Sequence, residues 1–248
     1  MMSTSSSTKT LTLTKPQIII TGGDPGKQNA DLEAASRRLR KGRQYTDLST
    51  VCIIPTRGKI EARVVESWWA LQTPMNQRFI RMMVKGMEVG DAYNTAIQHI
   101  LDHPELSKWR YVLTLEEDNL PPWDGLLKLL ESIDGRKKYD AVGGLYWTKG
   151  DAGQPMIYGD PREPVNFLPQ IPIEDTVQEC HGLGMGFTLF RLDVFRKLPA
   201  PWFVTVQEQH GQGTQDLYAF GNMRRMGMRV ACDTRVKVGH LDGDGTVW

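Results

Sequence analysis

The stretch Tyr111-Val-Leu-Thr-Leu-Glu116-Glu117-Asp118-Asn119-Leu120-Pro121-Pro122 decides how the chain is read. Its apolar first half is a buried strand. Three acids follow, and the proline pair stops the strand because proline has no N–H to give to a ladder. Strands buried on both faces belong to parallel sheets covered by helices, and open α/β sheets bind ligands beyond the carboxyl ends of their strands. In an extended chain Glu116 and Asp118 share a face while Glu117 points away, which sets two oxygen donors about 7 Å apart over one cleft. That pair suits a divalent cation shared with a phosphate; the plain alternative is a polar strand end facing water.

The pattern repeats on either side. Residues 51–54 are an apolar run closed by Pro55-Thr56-Arg57-Gly58 and followed by a helix through Val64, Val65, Trp68, Trp69 and Leu71. Residues 79–84 form the next strand, and a helix from about Gly90 puts Ala92, Ala96, Ile97, Ile100 and Leu101 on one face. Asp124 is placed to cap a helix carrying Leu126, Leu127, Leu130 and Ile133 at helical spacing, and 141–147 is a fourth strand. Strands alternating with helices predict an α/β fold, with a mostly parallel sheet flanked by helices. Beyond it come short strands at 156–158, 187–191 and 229–238 and one clear helix at about 215–226, a more irregular C-terminal half.

Upstream, residues 1–15 are a polar, Ser/Thr-rich tail, and 16–50 read as a strand-helix appendage with a strand at 17–21 and a helix at 30–39. Arg37, Arg38, Arg40, Lys41 and Arg43 make that helix end basic, which suits carbonyl dipoles or a polyanionic acceptor. Gly26-Lys27 is no phosphate loop, since Gln28 replaces the metal-binding Ser/Thr and Thr21 the first Gly. The main domain spans 51–248, without an internal repeat.

At 248 residues, folding buries roughly 70–75% of the extended chain's surface, enough for a single core without metals or disulfides. Thirty basic residues against 29 acidic ones give a formal charge of +1, which argues against a protein that coats nucleic acid. Three scattered cysteines, Cys52, Cys180 and Cys232, disfavour a disulfide scaffold or zinc ribbon and fit a reducing cytoplasm. No apolar run approaches the length of a membrane span, and none at the N-terminus resembles a signal peptide.

Other segments carry chemistry once grouped with the acids. Arg235-Val-Lys-Val-Gly239-His240 alternates as a strand and delivers His240 at its end, while Asp216 lies in the first turn of a helix. Cys180-His181-Gly182-Leu-Gly184-Met-Gly186 is a glycine-rich loop entering a strand, where backbone can approach a ligand closely. Trp147, Trp202, Phe203 and Trp248 are candidates for stacking a sugar or base, against a packing role. Asp242-Gly-Asp244-Gly245 lacks the bidentate Glu of a calcium loop and reads as a mobile tail closing over a ligand.

In order and spacing these segments resemble the GT-A type nucleotide-sugar glycosyltransferases, particularly the inverting glycosyltransferase family 2, which includes chitin and cellulose synthases. The resemblance covers 51–248: Ile54-Pro55-Thr56-Arg57, Asp91-Ala92-Tyr93-Asn94, Glu116-Glu117-Asp118, the loop Gly182 to Gly186, Asp216, and Gly239-His240. It implies a GT-A (Rossmann-like) domain with its acceptor half towards the C-terminus. By the same resemblance, Pro55, Thr56 and Arg57 border the base and ribose of a nucleoside-diphosphate sugar, with Asn94 nearby and Glu117, Gly184 and Gly186 in the donor site. Glu116 and Asp118 stand at the family's Asp-x-Asp, with Asp118 foremost as ligand to Mn²⁺ or Mg²⁺ and His240 completing the coordination. Asp216 matches the general base that deprotonates the acceptor hydroxyl.

Three positions depart from the family. Glu116 replaces the first Asp, Tyr93 stands where many relatives have Arg, and Gln215 replaces the Glu before Asp216. The Gln-x-x-Arg-Trp element of processive synthases is absent, so the resemblance points to a single transfer. The acceptor is open: glycan, protein, lipid carrier or modified DNA base. A non-catalytic nucleotide-sugar or glycan binder is the alternative from another class, and a metal-dependent nuclease, suggested by the acids alone, is disfavoured by the charge balance.

Overall fold

The computed structural model describes residues 17–21, 46–135, 138–208 and 211–248. The expected tail at 1–15 and helix at 30–39, with the basic residues 37–43, lie outside them.

Strand β1 is Gln17–Thr21 and β2 is Thr50–Thr56, followed by helix α1, Ala62–Ala70. Next come β3, Phe79–Lys85, and α2, Val89–Asp102, then β4, Tyr111–Leu115, and the short β5, Asn119–Leu120. Helix α3, Gly125–Ile133, leads into β6, Ala141–Leu145. The second half holds β7, Ile157–Tyr158; β8, Val177–Cys180; β9, Gly182–Leu183; β10, Phe187–Arg191; and α4, Leu192–Lys197. It closes with β11, Val206–Glu208; β12, Gly211–Gly213; α5, Gln215–Arg225; β13, Val230–Lys237; and β14, Gly239–His240.

Eight strands form one sheet in the order β1-β3-β2-β4-β10-β6-β13-β8. β2 is parallel to β3 and β4, and β6 is parallel to β13. β10 enters antiparallel between β4 and β6, so β3, β2, β4, β6 and β13 all point one way. The antiparallel strands β1 and β8 edge the sheet. This is the expected α/β architecture, Rossmann-like, with a mostly parallel central sheet between helices.

Alternation along β2 explains the two layers. Val51 and Ile53 face the core under α2, α4 and α5, with Tyr93, Ile97, Phe195 and Phe220. Cys52 and Ile54 face the opposite core under α1 and α3, with Trp68, Leu126 and Ile133. Each face is apolar because a helix covers it, which is why β2 reads as an unbroken apolar run rather than an alternating one.

Several details differ from the sequence reading. Asp124 sits at the start of α3 without a side-chain cap; its backbone (φ −100, ψ 5) is not the extended one that aims a capping carboxylate, which instead pairs with Lys128 Nζ at 2.8 Å. Strand β8 and helix α4 were not foreseen; β8 alternates little and survives through pairing with β13. The segment 241–248 folds back on itself: Leu241 bridges Val247, and the backbones of His240 and Trp248 exchange two hydrogen bonds at 3.0 Å. Cys52, Cys180 and Cys232 are unpaired and buried. Among the described residues no helix is long and apolar enough to cross a membrane.

Candidate active site

The parallel strands β2 and β4 end side by side, and the residues following them form one wall of a cleft of about 350 Å³. Pro55, Thr56, Arg57, Glu116, Glu117 and Asp118 line it, with Met87 before α2, Val89 at its start and Gln215 at the start of α5. A larger depression of about 450 Å³, lined by Ser132, Tyr139, Thr176 and Arg235 among others, contains none of the expected site residues.

The acids reach the cleft by a route other than the expected one. β4 stops at Leu115, and Glu116 to Asn119 make a tight turn closed by Asn119 N–H donating to the Glu116 carbonyl at 3.1 Å. The turn frees Asn119 and Leu120 to pair with β14, in the register Gly239 with Leu120 and His240 with Asn119. This pairing, not an extended strand, brings His240 to the acids.

Each acid has a different environment. Glu117 turns to β2, accepting from Thr56 Oγ1 at 2.7 Å, from Arg57 N–H at 2.9 Å and from Arg57 Nε. Thr56 Oγ1 in turn accepts Gly58 N–H at 2.8 Å, so the loop after β2 is tied down on the acid. Glu116 accepts from Tyr93 Oη at 3.4 Å, and its backbone N–H donates to the Gly186 carbonyl at 3.2 Å. Burial, with the charges of Asp118 and Asp216 nearby, pushes its carboxyl up to about 8. Asp118 shows the opposite balance: partial burial opposes ionisation, but hydrogen bonds from His240 and Lys149 outweigh it and bring the carboxyl down to about 2. Environments that drive neighbouring carboxyls apart in this way mark sites where one holds a proton and the other a charge.

His240 Nε2 lies 3.5 Å from Asp118 Oδ2. Its Nδ1 is 2.8 Å from the Trp147 carbonyl, which can only accept, so Nδ1 carries a proton and donates. Tyr146 meets the imidazole edge-on at 5.4 Å between centroids. With Nδ1 held by the Trp147 carbonyl, Nε2 faces the Asp118 carboxylate, so the two side chains present a nitrogen and an oxygen towards one another, a pair that can serve as donors to a cation. Oxygen and imidazole donors suit Mn²⁺ as well as Mg²⁺, whose remaining positions water and phosphate oxygens can fill. Among the described residues no group of three or more His, Cys, Asp or Glu side chains is arranged as a metal cage. Asp118 and His240 thus fit an ion as a two-donor site, with Glu116 behind them.

Asp216 stands in the first turn of α5, buried, with Oδ1 accepting Leu217 N–H at 2.8 Å. Burial raises its pKa against the hydrogen bonds it receives. Its neighbour in the chain, Gln215, lines the cleft.

The remaining expected residues stand further back. Both ends of the Asn94 amide are engaged: Nδ2 donates to the Phe203 carbonyl at 2.7 Å, and Oδ1 accepts from Trp202 and Phe203 N–H at 2.9 and 3.1 Å. Gly184 and Gly186 are buried, and a Cβ on either would collide, at Gly184 with Tyr146 Oη and at Gly186 with the Asn119 amide. They let those side chains pack under the acid turn rather than line the cleft. Trp202 and Phe203 are core residues, while Trp147 and Trp248 are half-buried.

Sequence reading missed Lys149, whose Nζ lies 2.6 Å from Asp118 Oδ2. Its signal was present: a basic residue before Gly150, in a turn at the carboxyl end of β6, a parallel strand. The rule that located the acids applies there equally.

No family model matches the chain, and no curated protein matches it in sequence. Among solved structures, the crystal structure of A197 from STIV aligns with a TM-score of 0.58, covering 80% of this chain and 92% of that chain at 19% identity. The likeness shows a shared fold.

Proposed function

We propose that the chain is a GT-A type glycosyltransferase that moves one sugar from a nucleoside diphosphate to an acceptor hydroxyl, with inversion. The observation that carries this reading is the meeting of Asp118 and His240 at the rim of the cleft where β2 and β4 end. Asp118 and His240 would hold a divalent cation, Mn²⁺ or Mg²⁺. When bound, the ion supplies positive charge against the negative charge that develops on the departing diphosphate.

The chain's own groups do the rest. Pro55, Thr56 and Arg57 border the base and ribose, held in place by Glu117. Glu116 retains its proton near neutral pH and donates a hydrogen bond towards the donor. Asp216 takes the proton from the acceptor hydroxyl as the sugar passes through an oxocarbenium-like state. Three buried, unpaired thiols accord with a reducing cytoplasm as the place of action.

A thermal-shift screen of UDP-, GDP-, CMP- and dTDP-sugars with and without Mn²⁺ tests the reading. A ligand at a hundred-fold excess over Kd stabilises the folded state by about 2.7 kcal/mol. Stabilisation that needs Mn²⁺, followed by sugar transfer or slow donor hydrolysis, is the expected result. Binding without any turnover would make the chain a nucleotide-sugar binder, and no stabilisation by any donor would end the reading.

A further inference from the structure

One hairpin touches both side chains assigned to the ion. After β6 the chain turns back between Trp147 and Pro155, which form a bridge. Thr148 N–H donates to the Gln154 carbonyl at 2.9 Å, Gln154 N–H donates to Thr148 Oγ1 at 2.9 Å, and Gly150 takes a positive φ of 96° at the tip. From this frame the Trp147 carbonyl holds His240 Nδ1, and the Lys149 ammonium holds Asp118 Oδ2.

A divalent cation and an ammonium cannot both lie against one carboxylate oxygen without strong repulsion. Arg57, the basic residue among those lining the cleft, is engaged by Glu117, while the Lys149 ammonium lies on Asp118. A lysine ammonium is a compact charge on a flexible stem, able to follow an anion over several ångströms while the hairpin stays in place. A diphosphate entering the cleft offers it a more highly charged partner than one carboxylate.

Resting on the glycosyltransferase reading above, we propose that Lys149 is a placeholder cation: its ammonium occupies Asp118 until a donor's diphosphate draws it away, so that ion binding and donor binding are coupled. Lys149 is then a positioning residue for the ion and a binding residue for the diphosphate. The coupling is reciprocal, since whatever raises ion affinity when nucleotide binds raises nucleotide affinity when the ion binds, by the same factor.

The test is direct binding, with no turnover in the readout. Mn²⁺ binding is followed by loss of the free-ion signal in electron paramagnetic resonance, for the wild type, Lys149→Met and Lys149→Gln, alone and with UDP, GDP, CDP, ADP or dTDP. Calorimetry with the same diphosphates in EDTA gives the ion-free affinity. For the wild type, the expected result is weak Mn²⁺ binding alone and at least ten-fold tighter binding with the preferred diphosphate. Both variants should bind Mn²⁺ alone at least ten-fold more tightly than the wild type. Their gain from nucleotide should shrink below three-fold, and their diphosphate affinity in EDTA should fall at least ten-fold. Variants that bind Mn²⁺ no more tightly than the wild type, or keep its full nucleotide gain, would overturn the placeholder role while leaving the transferase reading intact. A wild type that binds neither Mn²⁺ nor any diphosphate would overturn the transferase reading itself.

Discussion

The two halves of the sheet are held together by different means. In the first, β3, β2 and β4 lie parallel, and β2 is buried at every position with Val51, Cys52, Ile53 and Ile54 sending side chains alternately into two apolar cores. In the second, β13 carries Asp233, fully buried, accepting from Ser132 Oγ at 2.6 Å and from Arg235 Nε at 2.9 Å. Beside it Thr234 bonds to the loop before β8, donating its hydroxyl to the Ile173 carbonyl at 2.7 Å and accepting Thr176 N–H at 3.0 Å. Apolar burial is forgiving of shape and direction, whereas a buried charge requires every partner in place. The half that carries His240 and Asp216 is therefore the one fixed residue by residue.

That contrast can be tested in order of expected effect. On the proposed general-base role, Asp216→Asn should lower kcat by about 10²–10⁴-fold with donor affinity kept; steady-state kinetics beside calorimetry checks it. Equal losses of binding and turnover would instead assign Asp216 to the frame of the second half. Asp233→Ala leaves Arg235 and Ser132 without their acceptor and should cost about 3 kcal/mol in urea unfolding, the low end for a broken buried pair because Arg235 is partly exposed.

The junction between the halves responds to pH. Glu116 has a folded-state pKa raised from 4.5 to about 8, so its contribution to stability is complete below about pH 4.5 and lost as pH rises through 8. Glu116→Gln stays neutral throughout, and its Tm relative to the wild type should climb from pH 5 to pH 9 by about 10 °C in EDTA. Asp118 runs the other way: lowered from 3.8 to about 2, it contributes above pH 3.8 and loses that contribution as pH falls through 2. The smallest effect belongs to the apolar half, where Ile53→Val should cost about 0.5–1.5 kcal/mol in the same urea assay. A loss there larger than that of Asp233→Ala would reverse the comparison.

The same difference explains what could be read from the sequence. The strands and helices of the first half showed because burial on two faces writes continuous apolar runs and covering helices write a period near 3.6. In the second half, β10 was found from Phe187 to Arg191, but neither its antiparallel place between β4 and β6 nor strand β8 was visible. Those depend on pairings between distant segments, which local periodicity does not record. The site divides likewise. Glu116, Glu117, Asp118 and the turn after β2 were found because they follow strands, and the structure brings them together with His240. Asn94, Gly184 and Gly186 were placed by resemblance, and here they support rather than line the cleft. Lys149 escaped notice because a single lysine in a turn has no pattern until the carboxylate it meets is known.

The buried cysteines have a practical consequence. The reactive form of a thiol is its thiolate, and burial pushes Cys52 up to about 12 and raises Cys180 and Cys232 as well, so all three should stay silent towards maleimides in the folded protein. A cysteine introduced at the exposed Asp151, two positions from Lys149, would then take a single fluorophore or spin label and report in real time whether the surroundings of Lys149 change when a nucleotide binds.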